Sequence, residues 1–245
     1  MNTENARLRA MELDMLARGL VPARYERNIG TLGLAGQQKL LGVRVAIIGL
    51  GGLGGYVAET LARLGVGQMV GVDGDVFSES NLNRQLLSDV HNLGQAKAAQ
   101  ARLRVGRVNP AVEFTPHSCR FEELDEQAFG GCAAVFDCLD TIPARLALAD
   151  RCAAADVVLV HGAIAGWCGQ VGVCPPGGDL LKKLYTGKGV RGVEQQLGNL
   201  PMTAAVAANL MVAAAMPILL GSPEPIAQHV RFFDLLEDDW ESIEM

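Results

Sequence analysis

Two stretches of this sequence carry residue types that handle phosphate and carboxylate. The first is Gly49-Leu50-Gly51-Gly52-Leu53-Gly54. It directly follows the apolar run Val43 to Ile48, and it opens a segment, Gly55 to Leu64, in which Val57, Leu61 and Leu64 fall on one helical face. Glycines between a strand and a helix permit a tight turn and let backbone N–H groups approach a phosphate at the helix N-terminus. Asp73 closes the next apolar run, Met69 to Val72, where a carboxylate can accept hydrogen bonds from ribose hydroxyls. Gly49, Gly51, Gly52, Gly54 and Asp73 are therefore candidate nucleotide-binding residues. Taken alone, they fit a dinucleotide site and an ATP site equally.

The second stretch separates these possibilities. Asp73-Gly74-Asp75-Val76 leads into Ser80-Asn81-Leu82-Asn83-Arg84-Gln85 and then Gly94-Gln95-Ala96-Lys97. Hydride transfer has no use for this polar and cationic series, so an NAD-dependent dehydrogenase would leave Arg84, Lys97 and Asp140 without a shared purpose. Phosphoryl or nucleotidyl transfer needs fixed cations where charge builds on the reacting phosphate and on departing pyrophosphate. Further on, Phe136-Asp137-Cys138-Leu139-Asp140 ends another apolar run with two carboxylates, at the strand edge where ligands of open α/β sheets bind. One of them can hold Mg²⁺ through oxygen. The alternative is that they cap the following helix.

The elements that must position these groups alternate along the chain. Strands are expected at Val43 to Ile48, Met69 to Val72, Val112 to Thr115, Ala133 to Cys138 and Val157 to Val160, with helices at Gly55 to Leu64, Gln95 to Val108 and Pro143 to Ala154. Short apolar strands separated by helices specify an α/β fold, a doubly wound and mainly parallel sheet with helices on both faces. Gln170 to Cys174 and His229 to Phe233 read as further strands. Asp179 to Gly198, glycine-rich and containing Lys182, Lys183, Lys188 and Arg191, reads as a long, partly mobile crossing segment. One domain, residues 31–245, is expected behind an N-terminal helical arm, residues 1–30.

Composition narrows the function classes. The 245 residues are 49% hydrophobic, enough for a large core, so general disorder is excluded. With 27 acidic and 21 basic residues the net charge is −6, which argues against a nucleic-acid partner. The N-terminal stretch mixes Glu4, Arg7, Arg9, Glu12, Asp14 and Arg18 and does not read as a secretion signal. Leu200 to Leu220 has membrane-spanning length, but Thr203, Asn209 and Pro217 and the lack of flanking cations favour a buried helix, hence no membrane partner. Six cysteines without a C-x-x-C pair read as reduced, mostly buried thiols of a cytoplasmic protein, and four scattered histidines make no metal spacing. The acidic end, Glu237 to Glu244, reads as solubilising charge.

Arg24-Tyr25-Glu26-Arg27, the Gly49 to Gly54 loop, Asp73-Gly74-Asp75, Ser80 to Gln85, Gly94 to Lys97 and Cys138-Leu139-Asp140 together resemble the HesA/MoeB/ThiF family, sulfur-carrier adenylyltransferases related to ubiquitin-activating enzymes. The resemblance spans Arg24 to about Asp234 and implies a Rossmann-like fold. It implies ATP-dependent adenylylation of the C-terminal Gly-Gly carboxylate of a small ubiquitin-like carrier in thiamine- or molybdopterin-type biosynthesis. Under it, Gly52 lies against the nucleotide, Asp73 holds the ribose, and Asn81, Arg84 and Lys97 contact the triphosphate, with Ser80 and Gln85 in the same motif. Asp140 would hold Mg²⁺ and Thr141, often Asn in the family, would line the site. Arg27 would reach the ATP of a partner protomer, which implies a homodimer. The crossing segment would cover the carrier tail.

Two departures from the family pattern carry expectations. Many relatives hold zinc with two C-x-x-C pairs; this chain has neither, so no zinc site is expected. Some relatives carry a crossing-loop cysteine that bonds the carrier, and Asp179 to Gly198 has none, so the reaction is expected to stop at the adenylate and rely on an external sulfur donor. Rival readings are a related branch that adenylates a carboxylate on modified tRNA, and a nucleotide-binding scaffold that has lost the reaction.

Overall fold

The computed structural model describes residues 3–186, 194–222 and 228–245. Helices α1 (Thr3–Ala17) and α2 (Glu26–Gly42) precede β1 (Arg44–Ile48), α3 (Gly52–Leu64), β2 (Gln68–Val72), α4 (Lys97–Val108) and β3 (Glu113–His117). Then come β4 (Ala134–Asp137), α5 (Ile142–Ala154), β5 (Val158–Ala165), β6 (Cys168–Cys174), the short helices α6 (Leu180–Leu184) and α7 (Glu194–Leu197), α8 (Pro201–Leu219), β7 (His229–Asp234) and β8 (Asp239–Glu244).

All eight strands belong to one sheet, in the order β3-β2-β1-β4-β5-β6-β7-β8. The five strands from β3 to β5 are parallel, as the alternation of strands and helices requires, and β6, β7 and β8 add an antiparallel flank. The change of direction is local in origin. Ala165 pairs with Cys168, so only Gly166 and Trp167 connect β5 to β6, and a two-residue connection can only return antiparallel. Gly166 has φ 56°, a left-handed value suited to such a turn.

Strand β1 shows why both faces are covered. Val45 and Ile47 pack with α3, α4 and α8 residues on one face, and Ala46 and Ile48 with α5 and α6 residues and Phe129 on the other; all four are buried. Helix α8, long and apolar enough to cross a membrane by length and composition, packs against α3, β5 and β6 and buries Ala204, Ala207, Met211, Val212, Ala215 and Leu219.

Three expectations change in detail. Residue 30, the expected end of the arm, lies inside α2, whose kink comes at Gly33 with φ 65°. The N-terminal helix is docked on the same body: Arg9 bonds Glu113 and the Gly67 carbonyl, and Leu16, Tyr25 and Leu41 form a small buried cluster. The acidic end forms the edge strand β8, paired along its length with β7 and anchored by stacking of Trp240 on Phe233. Part of the expected crossing segment folds as α6 and α7; its mobility was expected of a stretch that includes residues 187–193, which lie outside the described residues.

Candidate active site

The strand order reverses between β1 and β4, so the loops leaving their carboxyl ends diverge to opposite sides and open a crevice. Gly49 leaves β1 with φ 89°, and a Cβ there would stand 2.6 Å from the Cys138 carbonyl at the end of β4. Only glycine fits this position. Helix α3 starts at Gly52, three residues earlier than the periodicity indicates, so its first-turn N–H groups face the crevice. A cavity of about 900 Å³ occupies the crevice, and Gly49, Gly51, Gly52, Asp73, Arg84, Gln85, Lys97, Asp140 and Thr141 all line it.

Asp73 is fixed by two backbone donors. The Leu50 N–H donates to Oδ2 at 2.7 Å and the Asp75 N–H to Oδ1 at 2.9 Å. Burial raises its carboxyl above the ordinary carboxylate range, against the lowering influence of Lys97 and these two bonds. Both oxygens retain lone pairs for a ligand hydroxyl. Lys97 opens α4, and the bridge between Val76 and Ala96 with the Lys97 N–H to Asp75 carbonyl bond holds it beside the end of β2. Its Nζ donates to Asp75 Oδ2 at 3.0 Å. Arg84 lies across Gly52, with Nη1 donating to the Ser80 carbonyl and Asn83 Oδ1.

Gln85 gives a direct sign that the cavity is built for a polar occupant. Its side chain is buried beside Gly51, and its Oε1 has no hydrogen-bond partner among the described residues. A buried orphan acceptor is costly unless a ligand or water completes it. Asp140 has no hydrogen-bond partner among the described residues and is exposed at the cavity wall, so its oxygens are available to a cation. Capping does not occupy it: the residue preceding α5 is Thr141, which makes no side-chain cap bond. Among the described residues, no three His, Cys, Asp or Glu side chains converge.

Four expected site residues lie off the cavity wall. Gly54 serves close packing of helix on strand, since a Cβ there would sit 1.8 Å from the Gly49 carbonyl oxygen. Ser80 and Asn81 shape the turn that delivers Arg84: Asn81 Oδ1 accepts the Ser78 N–H at 3.1 Å, and the Ser80 and Ser78 hydroxyls are 3.1 Å apart. Arg27 is exposed on α2. Its neighbours Arg24 and Tyr25 are structural. Arg24 pairs with Glu12 and bonds Asn109, while the Tyr25 hydroxyl lies 3.0 Å from Glu12 and 2.9 Å from Asn109. Burial pushes the Tyr25 phenol up to about 12.

Residues that sequence reasoning did not single out also line the cavity, among them Arg145, Ala163, Cys168, Gln170 and Tyr185. Cys168, expected among the buried thiols, is exposed, and its hydrogen bond to Asp234 at 3.1 Å raises its pKa. Asp137, considered above for Mg²⁺, is fully buried: its Oδ2 meets His161 Nδ1 at 2.7 Å and its Oδ1 accepts the Leu139 N–H at 3.1 Å. Burial lowers the His161 pKa, although the Asp137 carboxylate opposes this. That pairing leaves Asp140 as the carboxylate open to a cation.

Residues 25–245 match the ThiF family. The chain is 33% identical over 229 residues to the SAMP-activating enzyme E1 of Haloferax volcanii, covering 90% of this chain and 84% of that protein. It is 33% identical over 221 residues to the molybdopterin-synthase adenylyltransferase of Escherichia coli (strain K12), covering 87% and 88%. In fold it resembles the crystal structure of E. coli MccB with ATP, at a TM-score of 0.72 and 20% identity, over 91% of this chain and 72% of that one. The glycine loop, the acid ending β2 and the two cations thus meet on one cavity, in a chain matched over nearly its whole length, and the protein belongs to the ThiF family.

Proposed function

We propose that this protein uses ATP to adenylylate the C-terminal carboxylate of a small ubiquitin-like sulfur carrier ending in Gly-Gly, for biosynthesis of a thiamine- or molybdopterin-type cofactor. The observation that carries this reading is the continuity of the cavity. The same cavity is lined by the glycine loop and Asp73, by Arg84, Lys97 and Asp140, and by Ala163, Gln170 and Tyr185. A nucleotide and a second, slender substrate can meet in one such cavity.

Asp73 accepts the ribose hydroxyls, Gly52 lies against the nucleotide, and Arg84 and Lys97 meet the triphosphate, with Asn81 and Ser80 setting the turn that aims Arg84. The carrier carboxylate attacks the α-phosphorus, an oxygen–phosphorus bond forms, and pyrophosphate leaves with the electron pair of the broken bond. No general base is needed, because a carboxylate is already ionised at neutral pH. Catalysis therefore rests on positioning two anions and neutralising charge on the departing phosphates. Mg²⁺ held by Asp140 would supply further charge neutralisation there, and the exposed carboxylate, without a hydrogen-bond partner among the described residues, supports that assignment. Arg27, exposed and away from its own cavity, reaches the nucleotide of the partner in a homodimer. The adenylate passes to an external sulfur donor, in the cytoplasm.

The test is ATP–pyrophosphate exchange with Mg²⁺, with and without small carrier proteins ending in Gly-Gly. Exchange that depends on one carrier is expected and would name the pathway. ATP binding with no exchange for any carrier would favour the tRNA-directed branch or a scaffold, and absence of ATP binding would return the dinucleotide reading.

A further inference from the structure

Five groups at and behind the cavity wall close a hydrogen-bonded ring. Asp137 at the end of β4 and His161 on β5 are register partners on adjacent parallel strands. His161 Nδ1 stands 2.7 Å from Asp137 Oδ2. With the proton on Nδ1 the neutral imidazole presents Nε2 as an acceptor, and the Tyr185 hydroxyl lies 3.0 Å from it. The Tyr185 oxygen in turn accepts from Arg145 Nη1 at 2.7 Å and Gln170 Nε2 at 2.7 Å. Arg145 Nη2 donates to the Leu139 carbonyl at 2.6 Å, and the Leu139 N–H donates to Asp137 Oδ1 at 3.1 Å, which closes the circuit.

With the proton on His161 Nδ1, each of the five links pairs a donor with an acceptor, and Gln170 Nε2 stands a further 3.1 Å from His161 Nε2. The Leu139 peptide is gripped on both sides, and the next residue is Asp140. Among the described residues, Tyr185 is the member from the segment after β6; it follows α6 and forms part of the cavity wall. Resting on the proposed function, we infer that Tyr185 is a positioning residue: its hydroxyl closes the ring that holds Leu139, and so fixes the Asp140 carboxylate for the metal-bound triphosphate. The adenylation chemistry itself makes no demand on Tyr185, His161 or Asp137, so this role is separate from charge neutralisation by Arg84 and Lys97.

Tyr185→Phe removes the hydroxyl and keeps the ring wall. Two readouts on the purified full chain test the inference. The first is hydrogen exchange of the backbone across residues 138–142 without ligand, expected to quicken by about 10-fold, the scale of one lost buried hydrogen bond. The second is calorimetric ATP binding in Mg²⁺ and in EDTA: the tightening caused by Mg²⁺ should fall by about 10-fold while binding in EDTA stays within about twofold. Arg145→Lys, which cannot bridge Tyr185 and Leu139 together, should act in the same direction. Unchanged exchange in both variants overturns the inference. Equal loss of affinity with and without Mg²⁺ also overturns it, because Tyr185 would then support the cavity in general. If the wild-type chain binds no ATP, the proposed function fails, and the exchange measurement still decides whether Tyr185 holds the Asp140 turn.

Discussion

Lys97 Nζ stands 3.0 Å from Asp75 Oδ2, joining a side chain that is 8% exposed to one that is 76% exposed. The buried cation beside the glycine loop is thus balanced from the solvent side by a carboxylate that can be displaced. A triphosphate arriving at Lys97 has to compete with Asp75 for it. Asp75→Asn, which removes the competing charge, should therefore tighten ATP binding by about 2- to 5-fold, the energy of an ion pair with a solvent-exposed partner. Calorimetric titration checks this; weaker binding would mean that Asp75 aims Lys97 in the bound state.

Asp137 and Asp140 lie three residues apart and should respond oppositely to the same substitution. Asp140 is exposed and unpartnered among the described residues, so Asp140→Asn should leave thermal stability nearly unchanged while turnover falls by about 10²-fold or more. Asp137→Asn weakens the buried hydrogen bond that the carboxylate accepts from His161 and should cost about 1.5 to 3 kcal/mol of stability. Denaturant unfolding of both variants, beside their pyrophosphate exchange, separates the two roles. Stability loss in Asp140→Asn equal to that in Asp137→Asn would make Asp140 structural.

What the sequence made legible was local. The glycine loop, Asp73, Arg84 and Lys97 sit in short motifs whose residue types announce their chemistry, and nine of the expected residues line one cavity. The ring was not legible, because its members are 24 and 40 residues apart and meet only through sheet register and helix packing. One signal was present: Asp137 and His161 each end an apolar strand run, so two polar residues at the same edge of neighbouring parallel strands could have been paired. Asn81 and Ser80 were hidden for another reason. A polar side chain in a phosphate-site motif can equally shape the turn, and only geometry separates the two. Strand β8 lacks a period-2 apolar pattern, and its place rests on pairing with β7 and on Trp240 against Phe233.

Arg27 offers a test of the homodimer. Mixing Arg27→Ala with Asp140→Ala protein should restore some activity, because one mixed site would combine an intact Asp140 with an intact Arg27 from the other protomer. Subunit exchange followed by the pyrophosphate assay reads this out. No restoration, with exchange of subunits confirmed, would remove Arg27 from the partner's site.

His161 is buried and its pKa is lowered from 6.5 by that burial, despite the opposing hydrogen bond and charge of Asp137. Below about pH 6.5 the unfolded chain takes up a proton at His161 that the folded chain resists, so unfolding gains free energy as pH falls. The stability tied to neutral His161 is therefore fully present above about 6.5 and is lost as pH drops towards the lowered folded pKa, with a limiting slope of about 1.4 kcal/mol per pH unit for one proton. His161→Asn cannot titrate and should start less stable, since the Asp137 partnership is weakened, yet lose less between pH 6.5 and 5 than wild type. Thermal unfolding at half-unit pH steps measures the difference. Parallel curves for the two proteins would mean that His161 is charged in the fold, and the direction of the Tyr185 to His161 bond would then have to be reversed.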